Sequence, residues 1–364
     1  MLTEGESRFY VDLTQTEHIL ISRTDAKLQS EIALEELLTR PSAADIAAMK
    51  DLDGDILVLG AGGKMGPTLV HRMARAIRSA GVAKRVYAVV RKDRDGSFQQ
   101  QDDVVKLIET DLLDPASYRS MPDAANVVFM AGRKFGSAGD QPMTWATNVW
   151  LPGLAADRYR GSRIIAFSTG NIYPFVPVTS GGATEATAPS PTGEYAQSAL
   201  GRERIFEYFA NTYGSPTLIY RLNYAVDLRY GVLVDIGQKV LEGKPVDVTT
   251  GYVNVIWQGD ANSYCLRAFA HCGNPTVLLN VTGNRTLSVR ALAQQFGERF
   301  GKKAIITGEE APTALLSNPS LCESLMGAPE INEDDLFEMT ANWLSTGGTT
   351  LGKPTKFESR DGRF

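Results

Sequence analysis

Asp55-Ile-Leu-Val-Leu-Gly60-Ala-Gly-Gly63-Lys-Met-Gly66 is the stretch whose reading decides the fold. An apolar run, Ile56–Leu59, enters a turn with glycines at i, i+3 and i+6, and Pro67–Ala80 then reads as a helix. The first glycine permits a tight turn, the second lets backbone N–H groups approach a pyrophosphate, and the third lets the helix pack close to the strand. Glycine spacing alone is a weak signal; the strand before it and the helix after it supply the needed context. Lys64 and Met65 lie inside the turn and belong with Gly60, Gly63 and Gly66 as candidate cofactor contacts.

Beyond this unit, short β-rich runs alternate with helical stretches. The runs are Ile56–Leu59, Arg85–Val90, Val104–Glu109, Asn126–Met130, Arg163–Phe167, Thr217–Tyr220 and Val277–Val281. Most are continuously apolar, which predicts strands covered on both faces, as in a parallel sheet with helices above and below. The expected plan is α/β: a Rossmann-type doubly wound parallel sheet over residues 53–222. Residues 223–345 form mainly a smaller substrate lobe, into which the late strands of the sheet return. Residues 1–52 read as an N-terminal helical extension, with one helix from Thr24 to Leu38 and a second, capped by Ser42, running to Met49. Residues 346–364 read as a tail, of which Lys353–Phe364 is polar and expected to be loosely held.

The composition narrows the class of function. With 43% hydrophobic and 22% charged residues the chain reads as an ordinary globular protein. A net charge of -5 argues against a nucleic-acid footprint, which needs clustered Lys and Arg. No run reaches the roughly 18 apolar residues of a membrane span. The acidic start, Met1-Leu-Thr-Glu-Gly-Glu, lacks the blocks of a secretory signal, so a cytoplasmic location is expected. Cys265, Cys272 and Cys322 form no CxxC pair and read as buried or half-buried thiols. His18, His71 and His271 are scattered without metal-ligand spacing, and His71 reads as solvent-facing.

The second run ends Val89-Val90-Arg91-Lys92. An acidic residue at this place meets a free ribose 2′-hydroxyl, and an arginine meets a 2′-phosphate. Arg91 tilts the expectation toward NADP, while Asp93 keeps NAD open. After the third run come Thr110-Asp111-Leu112, where a carboxylate could reach an adenine amino group; Asp111 reads almost as well as a helix cap before Asp114-Pro115.

Together these motifs resemble the extended short-chain dehydrogenase/reductases, the NAD-dependent epimerase/dehydratase family, and within it the UDP-galactose 4-epimerase-like proteins. The resemblance runs from about residue 55 to 340. Val128-Phe-Met-Ala-Gly-Arg-Lys134 is similar to the family's fourth-strand end, which implies that Ala131 and Gly132 line the cofactor and that Lys134 lies near its phosphates or ribose. Asn148 matches a helix asparagine that supports the site. Phe167-Ser168-Thr169-Gly-Asn-Ile-Tyr173 resembles the serine-rich strand end, which gives Thr169 the substrate-binding hydroxyl, with Ser168 the alternative one step away. Tyr195 follows 26 residues after Thr169, in the place of the family's acid–base tyrosine. Tyr220-Arg-Leu-Asn223 resembles a substrate-facing strand end, which implicates Asn223.

Two departures stand out. The family's lysine four residues after the tyrosine is replaced by Ala199, which removes the charge that would lower a phenol pKa from about 10. Arg202, two turns beyond Tyr195, and Lys134 are the candidate substitutes; a lone helix arginine is more often a surface residue. The oxidised nicotinamide, itself positively charged, is a third source. Secondly, no arginine occurs between Arg229 and Arg267, where nucleotide-sugar enzymes carry one for the substrate diphosphate. An unpaired diphosphate in a cleft is costly. The expected function is therefore an NAD(P)-dependent oxidoreductase or epimerase acting on a sugar-like alcohol rather than a nucleotide-diphosphate sugar. The alternative is a catalytically silent dinucleotide-binding sensor or scaffold. The resemblance also implies a homodimer through helices 144–157 and 194–211.

Overall fold

The computed structural model describes residues 30–93, 96–98 and 102–364. Two helices open it, α1 (Glu31–Thr39) and α2 (Ala43–Asp51), and α2 starts with a capping box between Ser42 and Asp45. Residues 24–29 of the expected first helix lie outside the described residues, as does His18.

All seven runs read from the sequence become strands of one sheet. They are β1 (Ile56–Leu59), β2 (Val86–Val90), β3 (Val105–Glu109), β4 (Asn126–Phe129), β5 (Arg163–Thr169), β6 (Thr217–Leu222) and β7 (Val277–Val281). Every pairing is parallel, and the order is β7-β6-β5-β4-β1-β2-β3. Order reverses between β1 and β4, and ligands of doubly wound sheets bind outside the C-terminal strand ends at that switch point.

The helices follow in chain order. After α3 (Gly66–Ala80) come α4 (Gln141–Trp145), a π-turn (Ala146–Trp150) and α5 (Leu151–Arg158), which together form one irregular rod. Then come α6 (Gly193–Tyr213), α7 (Val232–Leu241), α8 (Gln258–Ala268), α9 (Val289–Phe300), α10 (Ser320–Met326) and α11 (Glu333–Ser345). On β1, Ile56 and Val58 face one core with α3 and α8, while Leu57 and Leu59 face another with α5 and α6. Burial on both faces explains why the strands read as continuous apolar runs. A third core joins α7, α9 and α11 into the smaller lobe, with Ile236, Phe296 and Trp343 at its centre.

The two N-terminal helices pack on the domain: Asp45, fully buried, pairs with Arg72 of α3 at 2.7 Å, and Ser263 of α8 donates to the same carboxylate. Two local expectations are corrected. The tail is packed, with Thr355, Phe357 and Phe364 buried, because its apolar residues reach the lobe and the cleft. His71 is half-buried against Phe98 and bonds the Ser97 carbonyl at 2.9 Å.

Asp260, in the first turn of α8, is 4% exposed and accepts N–H bonds from Glu330 and Ile331, both at 3.1 Å. Burial outweighs those bonds and pushes its carboxyl up to about 6. A pKa raised on folding stabilises fully below the unfolded value and loses that contribution as pH rises through the folded one. Asp260→Asn is therefore expected to gain stability relative to the parent between about pH 4 and pH 7, by at most about 3 kcal/mol. Urea midpoints at the two pH values measure it; an equal difference at both would remove Asp260 as the titrating group.

Candidate active site

The glycine turn is held by backbone sterics. Gly60 has φ 89°, and a Cβ there would lie 2.6 Å from the Ala131 nitrogen. A Cβ on Gly66 would lie 2.0 Å from the Ala61 carbonyl oxygen, so α3 can start this close to β1 only with glycine. Pro67 in the first turn of α3 fits that start, since it has no N–H to satisfy, while Gly66 N–H bonds the Gly63 carbonyl and Leu69 N–H that of Met65.

Two lysines stand beside it. The Lys64 ammonium lies 3.5 Å from the Tyr230 ring centroid, and that of Lys134 lies 4.3 Å from the Phe364 ring centroid. Burial first, then the charge of Lys353, pushes Lys64 down to about 8. Burial and the charge of Lys64 do the same to Lys134, also to about 8. Cations held this close together out of water are relieved by an arriving anion.

At the end of β5, the Thr169 hydroxyl accepts from the Asn171 backbone N–H (3.2 Å) and side-chain amide (3.0 Å). Its own proton is left to donate into the cleft. The Tyr195 phenol faces it from the first turn of α6. Burial pushes that phenol up, while the Thr169 hydroxyl and the Arg202 charge pull it back down. Thr169, Tyr195, Lys64, Lys134 and Asn223 line one cavity of about 210 Å³ at the C-terminal end of the sheet. A wider recess of about 670 Å³ lies between Gly54, Asp123 and Arg158 at the N-terminal ends of the central strands, away from these groups.

The tail closes one side of the cavity. The Phe364 ring meets Tyr195 edge-on at 5.5 Å, and Gly136 N–H donates to the Phe364 oxygen at 3.1 Å. Gly362 crosses Gly193, where a Cβ on Gly193 would come within 2.5 Å of the Gly362 oxygen.

Residues 56–226 match the model of the NAD dependent epimerase/dehydratase family. No curated protein matches the chain. Among solved structures, UDP-glucose 4-epimerase of Thermus thermophilus in complex with NAD is 18% identical. It aligns over 79% of this chain and 98% of its own, with TM-score 0.63. The UDP-glucuronic acid 4-epimerase of Bacillus cereus in complex with NAD is 17% identical over 80% and 96% of the two chains, with TM-score 0.65. An epimerase of Methanothermobacter thermautotrophicus is 16% identical over 84% and 96%, with TM-score 0.68. At these identities the likeness establishes the fold alone.

Within this fold the candidate residues separate into two sets. Gly60, Gly63, Lys64, Met65, Gly66, Ala131, Gly132, Lys134, Thr169 and Tyr195 gather around the crevice at the switch point. Arg91 is exposed at the end of β2, and the Asp93 carboxylate is taken by the N–H groups of Ser97 and Phe98. Asp111 is exposed beyond β3 and accepts from Leu113 N–H, while Asp114 does the capping before Pro115.

Three candidates sit differently from the expectation. The Leu112 side chain is buried in the core, so only its backbone can face a ligand. Asn148 is fully buried: it clamps Arg133 by both backbone groups and bonds Ser198, shaping the β4 loop from behind. Ser168 donates to the buried Glu203 carboxylate, which leaves Thr169 as the hydroxyl facing Tyr195.

Sequence reasoning missed the polar layer beneath the site. Glu203 (0% exposed) pairs with Arg221 (1%) at 2.7 Å, and Arg221 donates to the Tyr173 hydroxyl, which donates to Asn280. Ser168, Arg221 and Asn280 are register partners across β5, β6 and β7. It missed Gln258, whose Oε1 is buried at the cavity wall with no partner, and Tyr224, held at φ 44° beside it. A left-handed tyrosine costs roughly 1–2 kcal/mol and marks a backbone set by its surroundings. It also missed Arg360, which the tail carries onto Thr313 and over the Phe175 ring at 4.0 Å.

Proposed function

We propose that this protein is an NAD(P)-dependent enzyme that oxidises, or oxidises and re-reduces, a hydroxyl of a small sugar-like substrate. The observation that carries this reading is the Thr169–Tyr195 pair, set on the rim of the glycine-turn crevice at the C-terminal end of the sheet. A protein that only held a dinucleotide would need neither hydroxyl.

The crevice fits a dinucleotide on its own chemistry. The turn at Gly60–Gly66 admits no Cβ at either end, Lys64 and Lys134 offer charge to phosphate, and the orphaned Gln258 Oε1 suits an amide N–H₂ donor. When bound, the nicotinamide accepts or returns hydride. Thr169 holds the substrate oxygen by donating to it, and Tyr195 takes the hydroxyl proton. Exposed Arg91 leaves room for a 2′-phosphate, and the solved relatives carry NAD.

A substrate smaller than a nucleotide sugar is the preferred reading. The cavity of about 210 Å³ is below the roughly 300–1,000 Å³ of a drug-sized site, and Thr355 of the tail lines it. Arg229 is committed to Asp227 and Glu35. A homodimer through α5 and α6 belongs to the same reading, since Trp150 (55% exposed) and Tyr208 (56%) stand on those helices and the turn before them.

The test is to purify the protein, release any bound dinucleotide, identify it by mass, and offer free monosaccharides, sugar acids and UDP-sugars while following nicotinamide absorbance. The expected result is bound or acquired NAD(P), reduced by a small sugar. Turnover of UDP-sugars alone would overturn the size reading, and failure to bind any dinucleotide would overturn the function.

A further inference from the structure

Arg202 is a buried cation without an anion. It is 6% exposed; Nη1 donates to the Phe167 carbonyl and Nη2 to Asn148 Oδ1, both at 2.8 Å, and Nε has no partner. Among the described residues no carboxylate pairs with it, for its neighbour Glu203 is held by Arg221. Removing one partner of a buried pair costs several kcal/mol because the remaining charge has no compensation, so an unpaired buried guanidinium calls for an explanation.

Its position supplies one. A Cβ on Gly132 would lie 2.6 Å from Nη2, so the guanidinium stands directly behind the glycine at the cofactor side of the β4 loop. Tyr195 lies seven residues earlier on the same face of α6, and the position between them carries only the methyl of Ala199.

We propose that Arg202 is the cation of this site: anchored by Phe167 and Asn148 behind Gly132, it stands in for the lysine absent at position 199 as the charge against which the Tyr195 phenolate forms. The inference rests on the function proposed above, in which Tyr195 takes the substrate proton. Arg202 acts through Tyr195 and is a positioning residue. It also ties the phenol's environment to Asn148, and through it to the backbone of the β4 loop.

The groups facing Tyr195 limit the alternatives. Lys134 comes from the β4 loop, with its ammonium 5.7 Å from the Tyr195 ring centroid, and Tyr230 and Phe364 bring no positive charge. Lys134 titrates near 8, whereas a guanidinium keeps its charge at every working pH. Glu203, next to Arg202 in sequence, is ion-paired with Arg221; burial pushes the Arg202 guanidinium down, and the nearby charges of Tyr195 and Glu203 pull it back up.

The test reads the phenol itself, in cofactor-free protein. Tyrosines are replaced by meta-fluorotyrosine, whose phenol is more acidic, and the Tyr195 fluorine resonance is assigned by its loss in Tyr195→Phe. Arg202→Gln is expected to raise the Tyr195 midpoint by about one pH unit or more, tenfold in ionisation constant. Arg202→Lys is expected to hold it near the native value, and Lys134→Met to move it less than Arg202→Gln. Gly132→Ala, which drives a methyl into the guanidinium, is expected to raise it as well and covers the case in which Arg202→Gln does not fold. An unchanged midpoint in Arg202→Gln, or an equal rise in Arg202→Lys, overturns the inference. Dinucleotide affinity is measured alongside: no binding by the native protein overturns the function, while the midpoints still judge Arg202.

Discussion

Tyr195→Phe is expected to lower turnover about 10²–10⁴-fold, the usual contribution of a positioned acid–base group. Dinucleotide affinity is expected to stay within about twofold, because the variant loses an interaction made in the transition state rather than on binding. The ring is retained, and with it the edge-on contact to Phe364. Only the hydroxyl facing Thr169 is lost. Single-turnover reduction of bound nicotinamide separates chemistry from product release and so reads the loss directly. Equal rates in the parent and the variant would take the proton-transfer role from Tyr195 and leave Lys134 as the next group within reach.

Glu203→Gln is expected to destabilise the fold by about 3–5 kcal/mol, because it leaves the Arg221 guanidinium buried without a counter-charge. Glutamine keeps the shape and one oxygen, so neither a cavity nor the loss of the Ser168 bond accounts for a cost of that size. Replacing Glu203 and Arg221 together by methionine is expected to recover much of it, since two apolar side chains leave no orphaned charge. Urea midpoints of the parent, both single variants and the double variant form the cycle. A loss below about 1 kcal/mol in Glu203→Gln would mean that water reaches Arg221.

The sheet was legible to within about two residues at the strand ends because burial on both faces leaves a continuous apolar run, as at Ile56–Leu59. The glycine turn was legible because close backbone approach at Gly60 and Gly66 demands a missing Cβ. Thr169 and Tyr195 could be read because each sits at a fixed place on a regular element. Arg202 could be placed on the right face of α6, yet its burial could not be read: the groups that hold it, Phe167 and Asn148, come from distant parts of the chain. The tail misled for a related reason. Its polar composition hides Phe357 and Phe364, whose partners are contributed by the lobe and the cleft. Ser168 and Thr169 looked interchangeable in one dimension, and only the pleat of β5 sends one hydroxyl to Glu203 and leaves the other facing Tyr195.

The anchoring of α3 has a thermodynamic consequence. Asp45 fastens this helix to the N-terminal pair through Arg72, and Asn262 of α8 donates to Thr68 one turn from the glycine loop. The helix that would receive a pyrophosphate is thus already oriented before any ligand arrives, so little ordering entropy remains to be lost when one binds. A segment that reads as an appendage at residues 31–51 in this way acts as preorganisation for a site it does not touch.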